Sequence, residues 1–411
     1  MTTLFKGLFA AAVAGILVAA PARSEEVSTT NLVSGNNAFA LELYSRLAAG
    51  DGNVFFSPYS ISTCLAMTYA GARGDTASQI GHVFHFDSDG AQLSSNFAEL
   101  QKHLDELEQK AEVKLDIANG MWVEKNQKLL KEFTSVVRDS YGAEVKQADF
   151  RSSAEPTRRD INDWVSEKTS GKITDLLQPG VVNAATRLVL VNAIYLKGSW
   201  VHSFKKSATV DGPFSVSDTQ KATAHFMHQD SSFEYAENED CQLLEMPYGD
   251  SKTGIGGNNL LAMDILLPRK ADGLKKLESS LTEPALIALV GKARPQKINV
   301  TFPKFTTTAQ ISLGQTLAAM GMPLAFSNEA DFSGMDGERD LYISAIVHKA
   351  YVKVDESGTE AAAATGTVMA LTSVMRQPSP VFRADHPFIF LIRDTQSGAI
   401  LFLGRITDPT K

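Results

Sequence analysis

Residues 53–74 read Asn-Val-Phe-Phe-Ser-Pro-Tyr-Ser-Ile-Ser-Thr-Cys-Leu-Ala-Met-Thr-Tyr-Ala-Gly-Ala-Arg-Gly, and beyond Pro58 the apolar positions surround most of a helical circumference. A helix of that kind is buried on all sides rather than laid on a surface. Ser57 fits its N-cap and Pro58 its first turn, while Gly71 and Gly74 end it. Apolar positions at helical spacing predict further helices over 36–48, 75–84, 93–109, 131–141, 161–171, 273–281, 283–292 and 312–320. Apolar runs bounded by turn residues predict strands over 115–123, 242–247, 260–267, 297–302, 346–354, 388–392 and 399–404. Residues 186–200 are too continuously apolar for a half-exposed strand, which predicts the centre of a sheet covered on both faces. The stretch 254–259 reads as a hairpin tip. The mixture points to an α/β fold, of the multi-domain-type α+β kind.

One stretch fits neither period. Residues 354–376 read Val-Asp-Glu-Ser-Gly-Thr-Glu-Ala-Ala-Ala-Ala-Thr-Gly-Thr-Val-Met-Ala-Leu-Thr-Ser-Val-Met-Arg. Four alanines favour a helix, but Thr365, Gly366, Thr367 and Val368 follow at once and weaken it. At period two, Thr359, Ala361, Ala363, Thr365, Thr367 and Met369 share one face, and all are small or apolar. Such a segment, exposed between hydrophobic strands, is built to join a sheet with few steric clashes.

Composition narrows the functions available. A length of 411 residues suggests two or three domains, or one large α/β domain, and no linker divides the chain. The formal charge of −8 argues against nucleic acid or a heparin-like polyanion as partner. The predicted helix near residue 100 agrees, because it mixes Lys102, His103 and Lys110 with Glu99, Asp105, Glu106 and Glu108. Lys6, the apolar run Leu8–Ala20 and Ala20-Pro21-Ala22 form a signal peptide over 1–22, cleaved after Ala22 or Ser24. Its apolar run is too short to span a membrane, so the expected product is secreted or periplasmic. Cys64 and Cys241 are the two cysteines, expected as buried free thiols in preference to a bridge.

No catalytic constellation appears. G-x-S-x-G, H-E-x-x-H and paired C-x-x-C are absent. Ser170-Gly-Lys172 lacks the first glycine of a P-loop, and Gly254-Ile-Gly-Gly257 lacks the closing glycine of a dinucleotide loop. His225 and His228 have no carboxylate or cysteine at metal-ligand spacing, so no metal site is expected. His348 sits in an alternating apolar strand, where a lone histidine is a core donor rather than a catalyst.

The ordered motifs point to a family. The chain resembles a serpin from about Asn36 to Pro409, through residues 53–62, Ile161-Asn-Asp-Trp-Val165, Gly171-Lys-Ile173 and residues 190–200. The resemblance continues through His348-Lys-Ala-Tyr-Val-Lys-Val-Asp-Glu-Ser-Gly-Thr-Glu-Ala-Ala-Ala-Ala-Thr365, His386-Pro-Phe-Ile-Phe-Leu-Ile392 and Phe402-Leu-Gly-Arg-Ile406. It implies a single domain over 36–409 with about nine helices, three β-sheets and an exposed reactive loop at 356–380, in place of the domain count that length suggests. It implies a monomeric inhibitor rather than an enzyme, without cofactor, nucleic-acid, membrane or heparin site. In the implied mechanism a serine protease cuts the loop and forms an acyl-enzyme. The cut loop then inserts into the central sheet and deforms the trapped protease. The alternative is a non-inhibitory serpin acting as a binding or chaperone-like protein.

Residue by residue, the resemblance makes Glu356, Gly358, Thr359, Ala361, Ala362, Ala363 and Ala364 the loop hinge. Ser57, Ser60, Asn192 and His348 fall where serpins open the central sheet, and Trp200 where the loop first enters. Small hinge residues cost little entropy or overpacking, and no proline lies between Glu356 and Arg376. About a dozen inserted residues gaining roughly 1 kcal/mol each would contribute on the order of 10 kcal/mol, comparable to the stability of a whole domain. Counting sixteen positions from Glu356, the family's spacing, places the scissile bond at Thr372–Ser373. The stretch from there to Pro387 is longer than in many serpins, which keeps Leu371, Met375 and Arg376 as alternatives. Leu371 and Met369 favour elastase-, subtilisin- or chymotrypsin-like targets, with papain-like cysteine proteases second, whereas Arg376 would favour trypsin-like ones.

Overall fold

The computed structural model describes residues 23–111, 113–249, 260–359 and 379–411. In chain order the elements are α1 (Arg23–Leu47), β1 (Val54–Phe56), α2 (Pro58–Gly71), α3 (Gly74–Phe84), α4 (Gly90–Ala111), β2 (Lys114–Glu124), α5 (Lys131–Tyr141), β3 (Glu144–Ala148), α6 (Phe150–Lys168) and β4 (Leu188–Ser199). There follow β5 (Val210–Ser215), β6 (Lys221–Glu237), β7 (Cys241–Tyr248), β8 (Leu261–Pro268), α7 (Leu274–Ser280), α8 (Glu283–Val290), β9 (Arg294–Pro303), β10 (Phe305–Ser312), α9 (Gly314–Met320) and α10 (Ser333–Asp336). The chain closes with β11 (Ile343–Asp355), β12 (Gly358–Thr359), β13 (Val381–Arg383), β14 (Phe388–Asp394) and β15 (Ile400–Ile406).

Hydrogen bonding groups the strands into two sheets. The first runs β10-β11-β12-β4-β2-β3, and the second β1-β15-β14-β8-β7-β6-β9-β13 with β5 against β6. Strand β6 is long enough to serve two neighbourhoods: its first half pairs with β5 and its end with β7. The three sheets implied by the resemblance are therefore one separate sheet and two strand groups fused through β6 and β9. Ten α-helices occur among the described residues, against about nine expected.

The main core lies between the sheets and takes in α1 to α5, with α2 buried along most of its length, as its apolar circumference requires. Ser57 Oγ accepts from the Ser60 N–H at 3.1 Å and so caps α2. A second core lies on the opposite face of the six-stranded sheet, where Ile161, Trp164 and Val165 of α6 cover Val189, Val191 and Ala193 of β4 and Val347 of β11. Trp122 meets Trp164 edge to face at 4.9 Å, a contact contributing about 1 kcal/mol beyond its buried area. Residues 188–196 are consequently buried on both faces. Cys64 and Cys241 are free and buried.

Several elements depart from the sequence pattern for identifiable reasons. Helix α6 starts at Phe150 rather than 161, because Asp149 caps a first turn and Ser153 leaves helical geometry just before Pro156. Two short helical pieces are thereby merged across a kink. Strands β3 and β5 carry few buried residues and the outward face of β6 is polar, so no apolar run marks them, while β10 alternates only weakly, with threonines on both faces. The expected hairpin tip at 254–259 lies outside the described residues.

Candidate functional site

The centre of the six-stranded sheet is a parallel pair with a wedge at one end. Strands β11 and β4 pair directly from Ile343 and Leu188 up to Tyr351 and Tyr195, with His348 opposite Asn192. Beyond Tyr351 they part, and β12 lies antiparallel to both. Thr359 stands opposite Val354 on one side and Gly198 on the other, and Gly358 opposite Asp355 and Ser199. Carried on past Tyr351, the direct pairing would itself set Val354 opposite Gly198. The two strands therefore separate around β12 without sliding.

A turn at 355–358 reverses the chain into this gap. The Ser357 N–H donates to Asp355 Oδ1 at 2.9 Å. Gly358 has φ of 148°, and a Cβ there would lie 2.1 Å from the Gly198 carbonyl oxygen, so only glycine fits. Trp200 holds the turn from β4: its N–H donates to the Ser357 carbonyl at 2.9 Å and its Nε1 to the Asp355 carbonyl at 3.0 Å. Its ring stacks on Tyr248 at 4.5 Å, and the Tyr248 hydroxyl bonds to Thr359 Oγ1 at 2.7 Å. The hinge expected to be exposed from residue 356 is thus buried through Thr359, because it already pairs as a strand on both sides.

Glu356 is latched from the side. Lys304, at the bend between β9 and β10, donates to its carboxylate at 2.8 and 3.0 Å, and Thr209 Oγ1 donates at 2.8 Å. Burial works against ionisation of Glu356, but the bonds from Lys304 and Thr209 outweigh it and hold the group below the usual carboxylate range. Ionised Glu356 therefore stabilises the fold above about pH 4.5, and that contribution is lost as pH falls through its lowered value. Lys304→Ala is expected to lower native stability by about 1–2 kcal/mol and to make the acid limb shallower, read by urea unfolding at several pH values. Solvent at the half-buried Lys304 keeps the effect below that of a dry ion pair.

A second polar cluster lies where β4 and β11 touch. The Ser57 N–H donates to His348 Nε2 at 3.1 Å, so Nδ1 carries the ring hydrogen and bonds to Asn192 Oδ1. Asn192 Nδ2 faces the Ser60 carbonyl at 2.9 Å, Ser60 Oγ and Asn119 Oδ1, and Ser57 Oγ donates to the Leu401 carbonyl at 2.6 Å. Burial keeps His348 neutral, pushed down to about 3. A neutral His348 favours folding above its unfolded value of 6.5, and the benefit is lost as pH falls towards 3. Asn192→Ala would leave the buried His348 N–H without its acceptor. The expected cost is about 2–3 kcal/mol, measured as a drop in the urea midpoint.

The structure brings Glu356, Gly358, Thr359 and Trp200 together at the wedge, and Ser57, Ser60, Asn192 and His348 at the closed pair. Ala361, Ala362, Ala363, Ala364, Leu371, Thr372, Ser373, Met375 and Arg376 lie outside the described residues. Lys304, Thr209, Tyr248 and Asn119 were not singled out from the sequence. Only Asn119, a polar residue within the apolar strand 115–123, carried a local signal. His225 pairs with Asp211, and His228 bonds to Thr301 at 3.0 Å. Among the described residues no group of side chains has metal-ligand character, and no helix is long and apolar enough to cross a membrane.

The middle strands of the six-stranded sheet thus part around β12, the two-residue strand that follows the turn at 355–358. The model of the family described as Serpin (serine protease inhibitor) matches residues 34–409. The chain belongs to the serpin family. It is 41% identical over 392 residues to human leukocyte elastase inhibitor, covering 92% of this chain and 99% of that one. It is 40% identical over 388 residues to leukocyte elastase inhibitor from Xenopus tropicalis, covering 92% and 100%. Among solved structures it is similar to maspin, with TM-score 0.84 and 29% identity over 93% of this chain and all of maspin. It is likewise similar to uncleaved ovalbumin, with TM-score 0.81 and 29% identity over 92% and 100%.

Proposed function

We propose that this serpin inhibits a serine protease by acting as a suicide substrate whose cut loop becomes a new strand between β4 and β11. The observation that carries the reading is β12, already hydrogen-bonded between the two strands that must part. Continued in the same register, position 361 would face Val352 and Leu196, 363 would face Ala350 and Ile194, and 365 would face His348 and Asn192. Positions 361, 363 and 365 would point into the main core, where small residues fit. Glu360, on the other face, would stand between Lys353 and Lys197. The inserted strand would replace the His348–Asn192 contact by contacts to itself, and a polar cluster allows that exchange at less cost than an apolar seam.

In the proposed reaction the serine of the protease attacks the Thr372 carbonyl, and the amine of Ser373 leaves. Deacylation then competes with insertion. Target pockets of elastase-, subtilisin- or chymotrypsin-like proteases suit Leu371 and Met369, and the leukocyte elastase inhibitors among the relatives support the first of these. The signal-peptide pattern at 1–22 supports export to a secreted or periplasmic location, on which the relatives give no support.

Mixing the protein with elastase-, subtilisin-, chymotrypsin- and trypsin-like proteases tests the reading directly. The expected result is a covalent complex that survives denaturant, with a released fragment beginning at Ser373. Cleavage without complex at every protease would sink the inhibitor reading. A fragment beginning at Gln377 would move the scissile bond to Arg376.

A further inference from the structure

Three carboxylates stand in one row across the second sheet, far from the insertion machinery in the chain. Glu234 on β6 faces Glu245 on β7, and Glu245 faces Asp264 on β8. Like charges set opposite one another across strands repel. Here the repulsion acts out of water, since Asp264 is fully buried and Glu245 is 7% exposed. Among the described residues one cation bonds to the inner two: Arg393 on β14 donates from Nε to Asp264 Oδ2 at 2.7 Å and from Nη2 to Glu245 Oε2 at 2.6 Å. The next charge on β14, Asp394, faces His103 of α4 at 2.8 Å, so that histidine is committed elsewhere.

The donors do not suffice for this many carboxylates. Asp264 Oδ1 is buried with no hydrogen-bond partner among the described residues, an arrangement that leaves its desolvation uncompensated. A proton on Glu245 removes two costs together. It cancels the repulsion and turns Glu245 into a donor for its cross-strand partner.

We propose that Glu245 and Asp264 hold one shared proton beside Arg393, forming a proton site through which a mildly acidic medium stabilises the native fold. Burial first, then the charge of Asp264, pushes Glu245 up to about 7 against the pull of Arg393. Burial pushes Asp264 up as well, and the two titrate as a pair. A group raised from 4.5 to about 7 binds its proton in the folded chain before the unfolded one. Its stabilisation is complete below 4.5 and is lost as pH rises through about 7.

The test is urea unfolding of the full, uncleaved chain between about pH 5 and 8, comparing the wild type with Glu245→Gln. His348 acts in the opposite direction over the lower part of that range, and the comparison between variants cancels it. The wild type is expected to lose its folded-to-unfolded ratio relative to Glu245→Gln by about tenfold per pH unit up to about pH 7. Parallel curves for the two proteins would overturn the proposal. Should the glutamine variant fail to fold, the wild type alone decides through the infrared band of a protonated carboxyl group. The band is expected at about pH 6 and lost by about pH 8, and its absence at the lower pH overturns the proposal equally.

Discussion

Ala363→Arg is expected to turn the inhibitor into a substrate. With the wild type, protease is captured as a denaturant-resistant complex. With the variant, the loop is cut at an unchanged rate, the protease is released active, and the complex yield falls at least about tenfold. The register of β12 gives the reason: a strand continuing it sets position 363 between Ala350 and Ile194, both fully buried in the main core. An unpaired guanidinium there costs several kcal/mol, and each 1.4 kcal/mol added to the insertion barrier slows insertion about tenfold. Deacylation, which takes place in the protease, is not slowed and wins. Gel analysis of complex against cleaved inhibitor decides the point. Trapping at the wild-type yield would show that the inserted strand does not follow β12. Glu360→Ala makes a suitable comparison, since position 360 would face the more exposed lysines 353 and 197, and its effect on yield should be small.

Cutting the loop without trapping should raise thermal stability sharply. Strand β4 offers 12 residues along which a new neighbour can pair. Insertion replaces one direct β4–β11 pairing by two, so about one full ladder is gained. At roughly 1 kcal/mol per residue the gain is on the order of 10 kcal/mol. For a chain of this size the unfolding midpoint should rise by about 10 °C or more. The check is a thermal scan before and after nicking by a protease that cuts the loop and is not captured. An unchanged midpoint would mean that the cut loop stays outside the sheet.

Legibility in the sequence followed how each residue makes its contribution. Helix α5 (Lys131–Tyr141) and the central burial of β4 were readable because they depend on local periodicity and on unbroken apolar character. Gly358 and Thr359 were singled out through the resemblance, and their small size agrees with the close approach of β12 to Gly198 and Ser199. Lys304 was not. Its role comes from proximity to a carboxylate 52 residues away in the chain, and a lysine at a strand bend looks like any solvated lysine. Tyr248 and Thr209 were hidden for the same reason. The buried row of acids was hidden by burial itself: Glu245 and Asp264 interrupt apolar strands one residue at a time, as an ordinary exposed face would.

The shared register of β12 and the β4–β11 pair bears on kinetics. Forming the first rungs of a ladder is the slow step of strand formation, because chain entropy is lost before compensating bonds exist. In this protein the turn is closed, the flanking strands are parted and two residues are already bonded before any protease arrives. In the proposed mechanism insertion would therefore start past its nucleus, leaving propagation along a track whose rungs need no realignment. The speed needed to outrun deacylation is then set by how quickly β4 and β11 unzip below Tyr351, and the His348–Asn192 contact lies on that seam.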